Sequence, residues 1–388
     1  MIHYKFSTNI VGLAICCTIF CNNFYKFAPC NRLFDNMAMK SNFFKNILGD
    51  DSVGDGGFYF GDKSTPADAD VVIVSAPWSV TSDFGRGATY TPDAVIDASA
   101  EGNLYDAATA ISVEGRIATA EIDYNIQESS EHLGREAERL ASHSIAVDSL
   151  GGEYAARKIA HINEGFDEMH ASIYRQCRNW ASKGKCVAVV GGDHSVAFGA
   201  VKALAEYHKG IGVLFIDAHA DYAHDEIYSY SHRSIARDMV EEISSVERLV
   251  EVGVRDIDKS EADALAANGK VELFLAERLA ARRFEGESWG SLCREMVERL
   301  PHKVYVSFDV DALKIEFCNN TNAPVPGGMT FDEVIYLVNA IVESGREIVG
   351  FDISEVVSKL DNKMDAIVAA RVLAKLSVAA MRSIDNTK

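Results

Sequence analysis

The sequence predicts an α/β fold with a mainly parallel central sheet. Short runs of β-branched and other apolar residues recur along the chain, and stretches with helical periodicity alternate with them. The runs are continuously apolar, which is typical of strands that helices cover on both faces. With 388 residues, of which 48% are hydrophobic and 24% charged, the chain can bury a large core. We therefore expect one large domain of this class.

Six apolar runs predict strands, and a polar residue or a glycine stops each of them. They cover residues 70–75, 186–190, 212–216, 249–254, 304–310 and 348–353. Apolar residues at helical spacing predict helices over residues 196–208, 331–343 and 364–381. This alternation is that of strand–helix–strand units, in which neighbouring strands run parallel.

The first 66 residues differ from this pattern. Residues 10–21 form an apolar run of about a dozen residues, whereas a membrane-spanning helix needs about 20, so we predict no stable membrane span. We interpret residues 1–38 as a leader, which is a signal-like segment, a membrane-surface anchor or a non-native start. Residues 39–66 are interpreted as a polar linker or arm. The folded domain then covers residues 67–388.

Charge and cysteine content limit the partners and the location. The chain has 38 basic and 57 acidic residues, a net charge of −19, which argues against nucleic acid or an anionic membrane as its main partner. Such a chain suits a cationic ligand or metal ions. None of its 8 cysteines forms a C-x-x-C pair, so we predict neither a zinc ribbon nor a disulfide framework. We expect a cytoplasmic protein, or a targeted or secreted one if residues 1–30 are a genuine signal.

Acidic residues and histidines follow four of the predicted strands. GGDHS (residues 191–195) follows one, and DAHAD (residues 217–221) follows the next. Asp309 and Asp311 lie near the end of the fifth run, and Glu355 lies just beyond the sixth. Because ligands of parallel sheets bind beyond the carboxyl ends of the strands, these residues are expected at one edge of the sheet.

Two histidines and four carboxylates from these motifs form a candidate metal site. They are His194, Asp217, His219, Asp221, Asp309 and Asp311. Four carboxylates so close together repel one another, and several would have raised pKa values unless cations neutralised them. Imidazole and carboxylate ligands without thiolate favour two Mn²⁺ ions, with Ni²⁺, Co²⁺ or Fe²⁺ as alternatives. Water held between two such ions ionises near neutral pH and becomes a nucleophile.

GGDHS, DAHAD and SFDVDAL, in this order, resemble the three signature motifs of the arginase/agmatinase (ureohydrolase) family. The resemblance runs from about residue 67 to the C-terminus and includes residues 76–99 and 252–258. It implies a three-layer α/β/α fold and a homotrimer or homohexamer with two Mn²⁺ per chain. It also implies hydrolysis of a guanidino or amidino C–N bond, most often with release of urea. Residues 67–388 would then be the ureohydrolase catalytic domain.

The resemblance also implies a role for each residue that matches a motif. One ion would be held by His194, Asp217, Asp221 and Asp309. The other would be held by Asp217, His219, Asp309 and Asp311. Asp221 would accept a hydrogen bond from the hydroxide between the ions. Glu355 would grip the guanidinium, and His232 would carry a proton to the leaving amine.

Three segments bear on the substrate, and two of them depart from the family pattern. The family's turn after the third motif ends Thr-Gly-Thr-Pro, whereas this chain reads TNAP at residues 321–324 and lacks the family's prolines and glycine over residues 314–323. The loop over residues 222–233 lacks the Asn, Ser and Thr pattern with which arginases hold an amino-acid carboxylate. Asp256 and Asp258 resemble the acidic pair that contacts an α-amino group in arginases, or they cap the helix starting near residue 260.

The balance favours an agmatinase-type hydrolase with a small cationic guanidino substrate. Arginase, formiminoglutamase and guanidine hydrolase remain alternatives, as does a catalytically silent member that acts as a binding partner. The six-ligand set argues against the single-zinc amide hydrolases of a related fold. A dinucleotide enzyme is disfavoured because G-x-G-x-x-G follows no predicted strand.

Overall fold

The computed structural model describes residues 57–82, 87–100, 102–143, 152–359 and 361–387. They belong to one compact unit of the chain, residues 54–388. The predicted leader and most of the predicted arm lie outside the described residues. The end of that arm packs on the domain, since Tyr59 and Phe60 are buried in its core.

The central sheet has eight strands, and every neighbouring pair in it is parallel. The strands of the chain are β1 (Val71–Ala76), β2 (Tyr105–Asp106), β3 (Ile111–Ser112), β4 (Ile117–Thr119), β5 (Cys186–Gly191), β6 (Ile211–Ile216), β7 (Val246–Val252), β8 (Val271–Phe274), β9 (Lys303–Asp309) and β10 (Glu347–Ser354). Their order in the sheet is β4-β1-β5-β10-β9-β6-β7-β8, while β2 and β3 pair antiparallel as a separate ribbon. The predicted parallel sheet is confirmed.

Ten α-helices lie within the described residues. They are α1 (Thr91–Ser99), α2 (Tyr124–His143), α3 (Gly152–Ala181), α4 (Ala197–His208), α5 (Ile235–Glu242), α6 (Lys259–Ala267), α7 (Ala276–Phe284), α8 (Trp289–Glu298), α9 (Phe331–Glu343) and α10 (Met364–Thr387). Short 3₁₀ turns add Tyr59–Gly61, Gly87–Tyr90, His194–Val196 and Val310–Ala312. None of the helices described is both long enough and apolar enough to cross a membrane.

The helices cover both faces of the sheet, so the fold has three layers. Side chains alternate between the faces of each strand, and in β5 Val187 and Val189 face one core while Ala188 and Val190 face the other. Apolar side chains of α1, α8, α9 and α10 fill the core on one face. Those of α2, α3, α4 and α5 fill the core on the other. The α/β/α architecture is confirmed.

The helix ends follow local capping chemistry. At the start of α9 the Thr330 hydroxyl accepts a hydrogen bond from the Glu333 N–H (3.2 Å), and Glu333 accepts one from the Thr330 N–H (2.8 Å). Such a reciprocal capping box satisfies two helix donors that otherwise lack partners. The helix predicted over residues 331–343 therefore begins where its sequence directs.

The four strands that precede the predicted site motifs are neighbours. They are β5, β10, β9 and β6, at the centre of the sheet. Because these strands are parallel, their carboxyl ends meet at one edge, and the loops that follow them converge there. The topology thus brings together residues that are up to about 160 positions apart in the chain, as the 3.0 Å contact between His194 and Glu355 shows.

Candidate functional site

Short side-chain caps shape the loops that carry the predicted metal ligands. The Asp217 carboxylate accepts a hydrogen bond from the His219 N–H (2.7 Å). The Asp309 carboxylate likewise accepts one from the Asp311 N–H (2.7 Å). An aspartate that binds the backbone two residues on forms a tight turn. In both motifs this turn presents the flanking side chains at the edge of the sheet.

A first candidate group for an ion consists of His194, Asp217 and Asp309. The His194 Nδ1 atom lies 2.9 Å from an Asp217 oxygen and 3.6 Å from an Asp309 oxygen. An Asp221 oxygen lies 3.3 Å from the same nitrogen. His194 and Asp217 are fully buried, so this group is shielded from bulk water.

A second candidate group consists of Asp217, His219 and Asp311. The His219 Nδ1 atom lies 3.0 Å from an Asp311 oxygen and 3.6 Å from Asp217 Oδ1. The other oxygen of Asp217, Oδ2, faces His194 of the first group. Asp217 therefore lies between the two groups, with one oxygen directed to each.

The site is overcrowded with negative charge. Burial and the charge of neighbouring carboxylates raise the pKa of Asp221 to about 7 and that of Asp309 well above its ordinary value. Burial alone would lower the pKa of His219, but its hydrogen bonds to Asp217 and Asp311 raise that pKa to about 12. Carboxylates in such a cluster need positive charge nearby. Oxygen and imidazole donors in two overlapping groups fit a pair of divalent cations.

The His194 ring nitrogen that faces away from the candidate ion, Nε2, has hydrogen-bond partners that the sequence did not predict. The Ser307 hydroxyl donates to Asp352 (2.8 Å), which leaves its oxygen to accept from His194 Nε2–H (2.8 Å). That arrangement keeps the Nδ1 lone pair directed to the candidate ion. The imidazole also stacks on Phe215, with ring centroids 4.5 Å apart.

A cavity of about 290 Å³ lies beside both groups and brings the remaining predicted residues together. Its lining includes Asp221, His232 and Glu355. Glu355 is buried, and its two oxygens accept hydrogen bonds from the His194 N–H (3.0 Å) and the Asn322 amide (2.9 Å). Burial and the nearby charge of Asp193 raise the Glu355 pKa to about 8.

His232 and Glu355 are far apart in the sequence, but both line the same cavity. Its Nδ1 atom is 3.1 Å from the Thr81 hydroxyl, in the segment that follows β1. Histidine is the side chain that most often transfers protons in catalysis. The structure thus brings His232 into the cavity that holds the candidate ion groups.

The two acidic residues within residues 252–258 differ in whether they cap a helix. Asp258 caps α6, where it accepts hydrogen bonds from the Ser260 N–H (2.7 Å) and the Glu261 N–H (2.9 Å). Asp258 therefore caps the helix, as the second interpretation of this residue predicted. Asp256 is exposed. Both residues line the cavity, and Glu261 adds a third carboxylate to this rim.

A further group of possible ligands lies away from the cavity, on α2 and α3. His132, Glu136 and His161 bring their donor atoms within 4.8 Å of one another. The Lys158 ammonium, however, forms an ion pair with the Glu136 carboxylate. The charge of this carboxylate is thus already balanced by a side chain of the protein.

Comparisons with known proteins agree with this geometry. The model of the arginase family matches residues 69–378. The N(1)-aminopropylagmatine ureohydrolase of Thermus thermophilus is 28% identical over 298 residues, which cover 76% of this chain and 86% of that protein. Arginase-1 of Homo sapiens is 30% identical over 193 residues, or 45% of this chain and 58% of that protein.

Solved structures share the fold. The agmatine ureohydrolase of Thermoplasma volcanium superposes with a TM-score of 0.62 at 18% identity, over 89% of this chain and 99% of that one. The arginase of Medicago truncatula gives a TM-score of 0.60 at 23% identity, over 81% and 88% of the two chains. The match to the family model covers most of the chain and all of the predicted site. The chain belongs to the arginase family, and it is a hydrolase of guanidino-type C–N bonds.

Proposed function

We propose that this protein is an agmatinase-type enzyme, which hydrolyses a small cationic guanidino compound and releases urea. One observation carries the proposal. A single cavity combines Glu355, a buried carboxylate hydrogen-bonded at both oxygens, with side chains of both candidate ion groups. A fixed carboxylate suits a planar cation, and the adjacent groups suit activation of water.

We propose that two divalent ions, Mn²⁺ in the native enzyme, bind side by side here, with Ni²⁺ and Co²⁺ as alternatives. One set of ligands is His194, Asp217, Asp221 and Asp309, and the other is Asp217, His219, Asp309 and Asp311. One carboxylate oxygen of Asp217 faces His194 and the other faces His219, which supports a role of Asp217 as a bridge. When bound, such a pair of ions supplies a hydroxide at neutral pH and stabilises negative charge in the transition state.

Three residues of the chain then have roles in moving protons and binding substrate. Asp221 accepts a hydrogen bond from the attacking water and helps to move its proton. Glu355 orients the guanidinium through paired hydrogen bonds. His232 delivers a proton to the leaving amine, and its place in the same cavity supports this role.

The rim of the cavity favours a substrate whose far end is cationic. Asp256, Asp258 and Glu261 line it and carry negative charge. We propose that Asp256 and Asp258 attract an amine at this end, with Asp256 the more available because Asp258 also caps α6. The name of the relative from Thermus thermophilus, an aminopropylagmatine ureohydrolase, agrees with a guanidino amine. Arg233 also lines the cavity, where its guanidinium can pair with the carboxylate of an amino acid. L-arginine is therefore the second candidate substrate.

We also infer that the chain assembles as a homotrimer or homohexamer, as its resemblance to the family implies. Light scattering coupled to size-exclusion chromatography measures this directly. A particle of three or six chain masses supports the inference, and a monomer contradicts it.

The full chain, loaded with Mn²⁺ or in parallel with Ni²⁺ or Co²⁺, provides the test. Urea release would be measured from agmatine, L-arginine and guanidino compounds without an amine, together with ammonia from guanidine and formamide from formiminoglutamate. We expect the highest kcat/KM for agmatine. The Asp309→Asn variant is the control and should lose both bound metal and turnover. Preference for a carboxylated or unsubstituted compound would overturn the agmatinase-type assignment.

A further inference from the structure

The loop after β9 places one side chain against the Glu355 carboxylate. The Asn322 Nδ2 atom donates to Glu355 Oε2 (2.9 Å) and to the Ser82 hydroxyl (3.3 Å). Asn322 lines the cavity that also contains the candidate ion groups. It thereby connects the segment after β1 with the residue that follows β10, at the wall of the site.

The backbone on either side of Asn322 is fixed. The Arg255 guanidinium donates to the carbonyl oxygens of Asp311 (2.7 Å) and Val325 (3.0 Å), which hold the two ends of the loop together. Asn320 is buried and donates to Asp365 through its backbone N–H (2.9 Å) and its side chain (3.1 Å). A side chain mounted on such a backbone has a defined position.

The hydrogen bonds of Glu355 leave a specific set of acceptor sites. Each carboxylate oxygen has two lone pairs. The His194 N–H uses one on Oε1, and the Asn322 amide uses one on Oε2. Among the described residues, one lone pair on each oxygen therefore has no hydrogen-bond partner. Two parallel acceptors are what a guanidinium, with its fork of two N–H groups, requires.

Asn322 also takes up space. The turn of the family pattern reads Thr-Gly-Thr-Pro where this chain has TNAP at residues 321–324. An asparagine in place of that glycine adds a side chain beside Oε2, where one edge of a bound guanidinium would lie. The cavity is narrower there than glycine would make it.

We propose that Asn322 is a specificity-determining residue, which presents Glu355 to a guanidinium and excludes a second substituent on that guanidinium. This inference rests on the proposed function. The favoured substrate class is a guanidine alkylated on one nitrogen only. A compound methylated on a second, terminal nitrogen meets the Asn322 side chain and is rejected.

Two variants of the full chain test the proposal with agmatine and its terminal N-methylated analogue as probes. Asn322→Leu keeps a side chain of similar size but removes the amide that donates to Glu355, and we expect agmatine affinity to fall about 10- to 150-fold, the value of a hydrogen bond to a charged group. Asn322→Gly removes the side chain, and we expect the preference for agmatine over the methylated analogue to fall roughly tenfold or more. Metal content should stay unchanged in both.

The matched control is Asn319→Gly, which makes the same change at an exposed position of the same loop. It should leave affinity and preference at wild-type values. Agmatine binding is measured by titration calorimetry on the metal-free protein, in which no turnover consumes the ligand, so the two hypotheses separate. Binding without turnover contradicts the proposed function alone. Wild-type affinity and preference in both Asn322 variants overturn the role of Asn322, and a wild-type protein that binds no agmatine overturns both hypotheses.

Discussion

Asp221 and Glu355 adopt backbone conformations that non-glycine residues rarely take. Their φ angles are 46° and 59°, in the left-handed region. Such conformations cost about 1–3 kcal/mol each and persist only where the surroundings enforce them. Both side chains line the cavity, so this strain lies at the proposed catalytic residues. We infer that the fold tolerates the strain because it directs the two carboxylates into the site.

The clearest prediction for a single residue concerns Ser307. Replacing it with alanine removes the hydroxyl that accepts from His194 Nε2–H and donates to Asp352. Because partners behind a metal-binding histidine set its tautomer and orientation, we expect metal affinity to fall about 10- to 100-fold. Titration of the metal-free protein with Mn²⁺ measures this. Ser344→Ala is the control, because it removes a hydroxyl that donates to the Ile341 carbonyl and accepts from the Arg346 guanidinium, neither of which contacts the candidate ligands. Equal Mn²⁺ affinity in wild type and Ser307→Ala would contradict the prediction.

Sequence reasoning identified the candidate ligands but not the residues behind them. The six candidates follow predicted strands within short motifs, so their spacing alone indicates a common edge. Ser307 and Asp352 lie inside strands, where a polar residue in an apolar run is easily taken for part of the core. The alternation of side chains along a strand could have indicated Ser307, because it lies two residues before Asp309 and therefore faces the same side of β9. Its pairing with Asp352 on β10 depends on strand order, which the sequence does not state.

At the level of elements, the continuous apolar runs were reliable predictors and short edge strands were not. The predicted run over residues 186–190 agrees with β5 to within one residue, and that over residues 348–353 agrees equally well with β10. β4 and β8 were not predicted. They have three and four residues and lie at the two edges of the sheet. β8 is only half-buried along its whole length, so its sequence lacks the apolar run that marks a central strand.

The junction between β5 and the loop that carries His194 depends on Gly192. The Gly192 N–H donates to the Ala76 carbonyl (2.9 Å), and a Cβ built on Gly192 would lie 1.6 Å from the Trp78 carbonyl oxygen. Backbone atoms cannot yield to such a contact as a flexible side chain would. Glycine is therefore required where the ends of β1 and β5 meet.

We predict that Gly192→Ala lowers both stability and metal content. The loop must move away from Trp78, and overpacking of this kind costs about 1–3 kcal/mol. The displaced His194 would no longer face Asp217, so less Mn²⁺ should remain after dialysis. Thermal unfolding and elemental analysis give the two readouts. Gly269→Ala is the control, because a Cβ there meets no described atom within 4 Å. Wild-type metal content in Gly192→Ala would show that the contact is relieved elsewhere.

At the scale of the whole molecule, the core on one face of the sheet contains a buried histidine that supports the site from behind. His170, on α3, is only 6% exposed, and its Nε2–H donates to the Ser195 carbonyl (2.9 Å) next to His194. Phe198 and Tyr230 surround the ring, with centroids 5.0 and 4.7 Å away. The Nδ1 atom has no hydrogen-bond partner among the described residues. Burial lowers the pKa of His170 to about 4, so the ring is neutral in the folded protein.

This histidine predicts how the stability of the fold changes with pH. The pKa of His170 is lower in the folded chain, about 4, than the ordinary value of 6.5, so its stabilising contribution is complete above pH 6.5 and is lost as the pH falls towards 4. Between pH 7 and pH 5 the contribution of His170 to the free energy of unfolding should fall by about 2 kcal/mol, since each pKa unit is worth about 1.4 kcal/mol. Buried carboxylates with a raised pKa, such as Glu355, change in the opposite sense, and they do so in wild type and variant alike. Urea unfolding at both pH values, with a chelator present to remove the contribution of bound ions, measures the net change.

His170→Gln keeps a donor for Ser195 and removes the titrating group, so it should lose about 2 kcal/mol less than wild type over this range. Phe198→Leu, which disturbs the same cluster without removing a titrating group, should keep the wild-type dependence on pH. The same pH dependence in His170→Gln as in wild type would mean that acid acts on the fold through other groups.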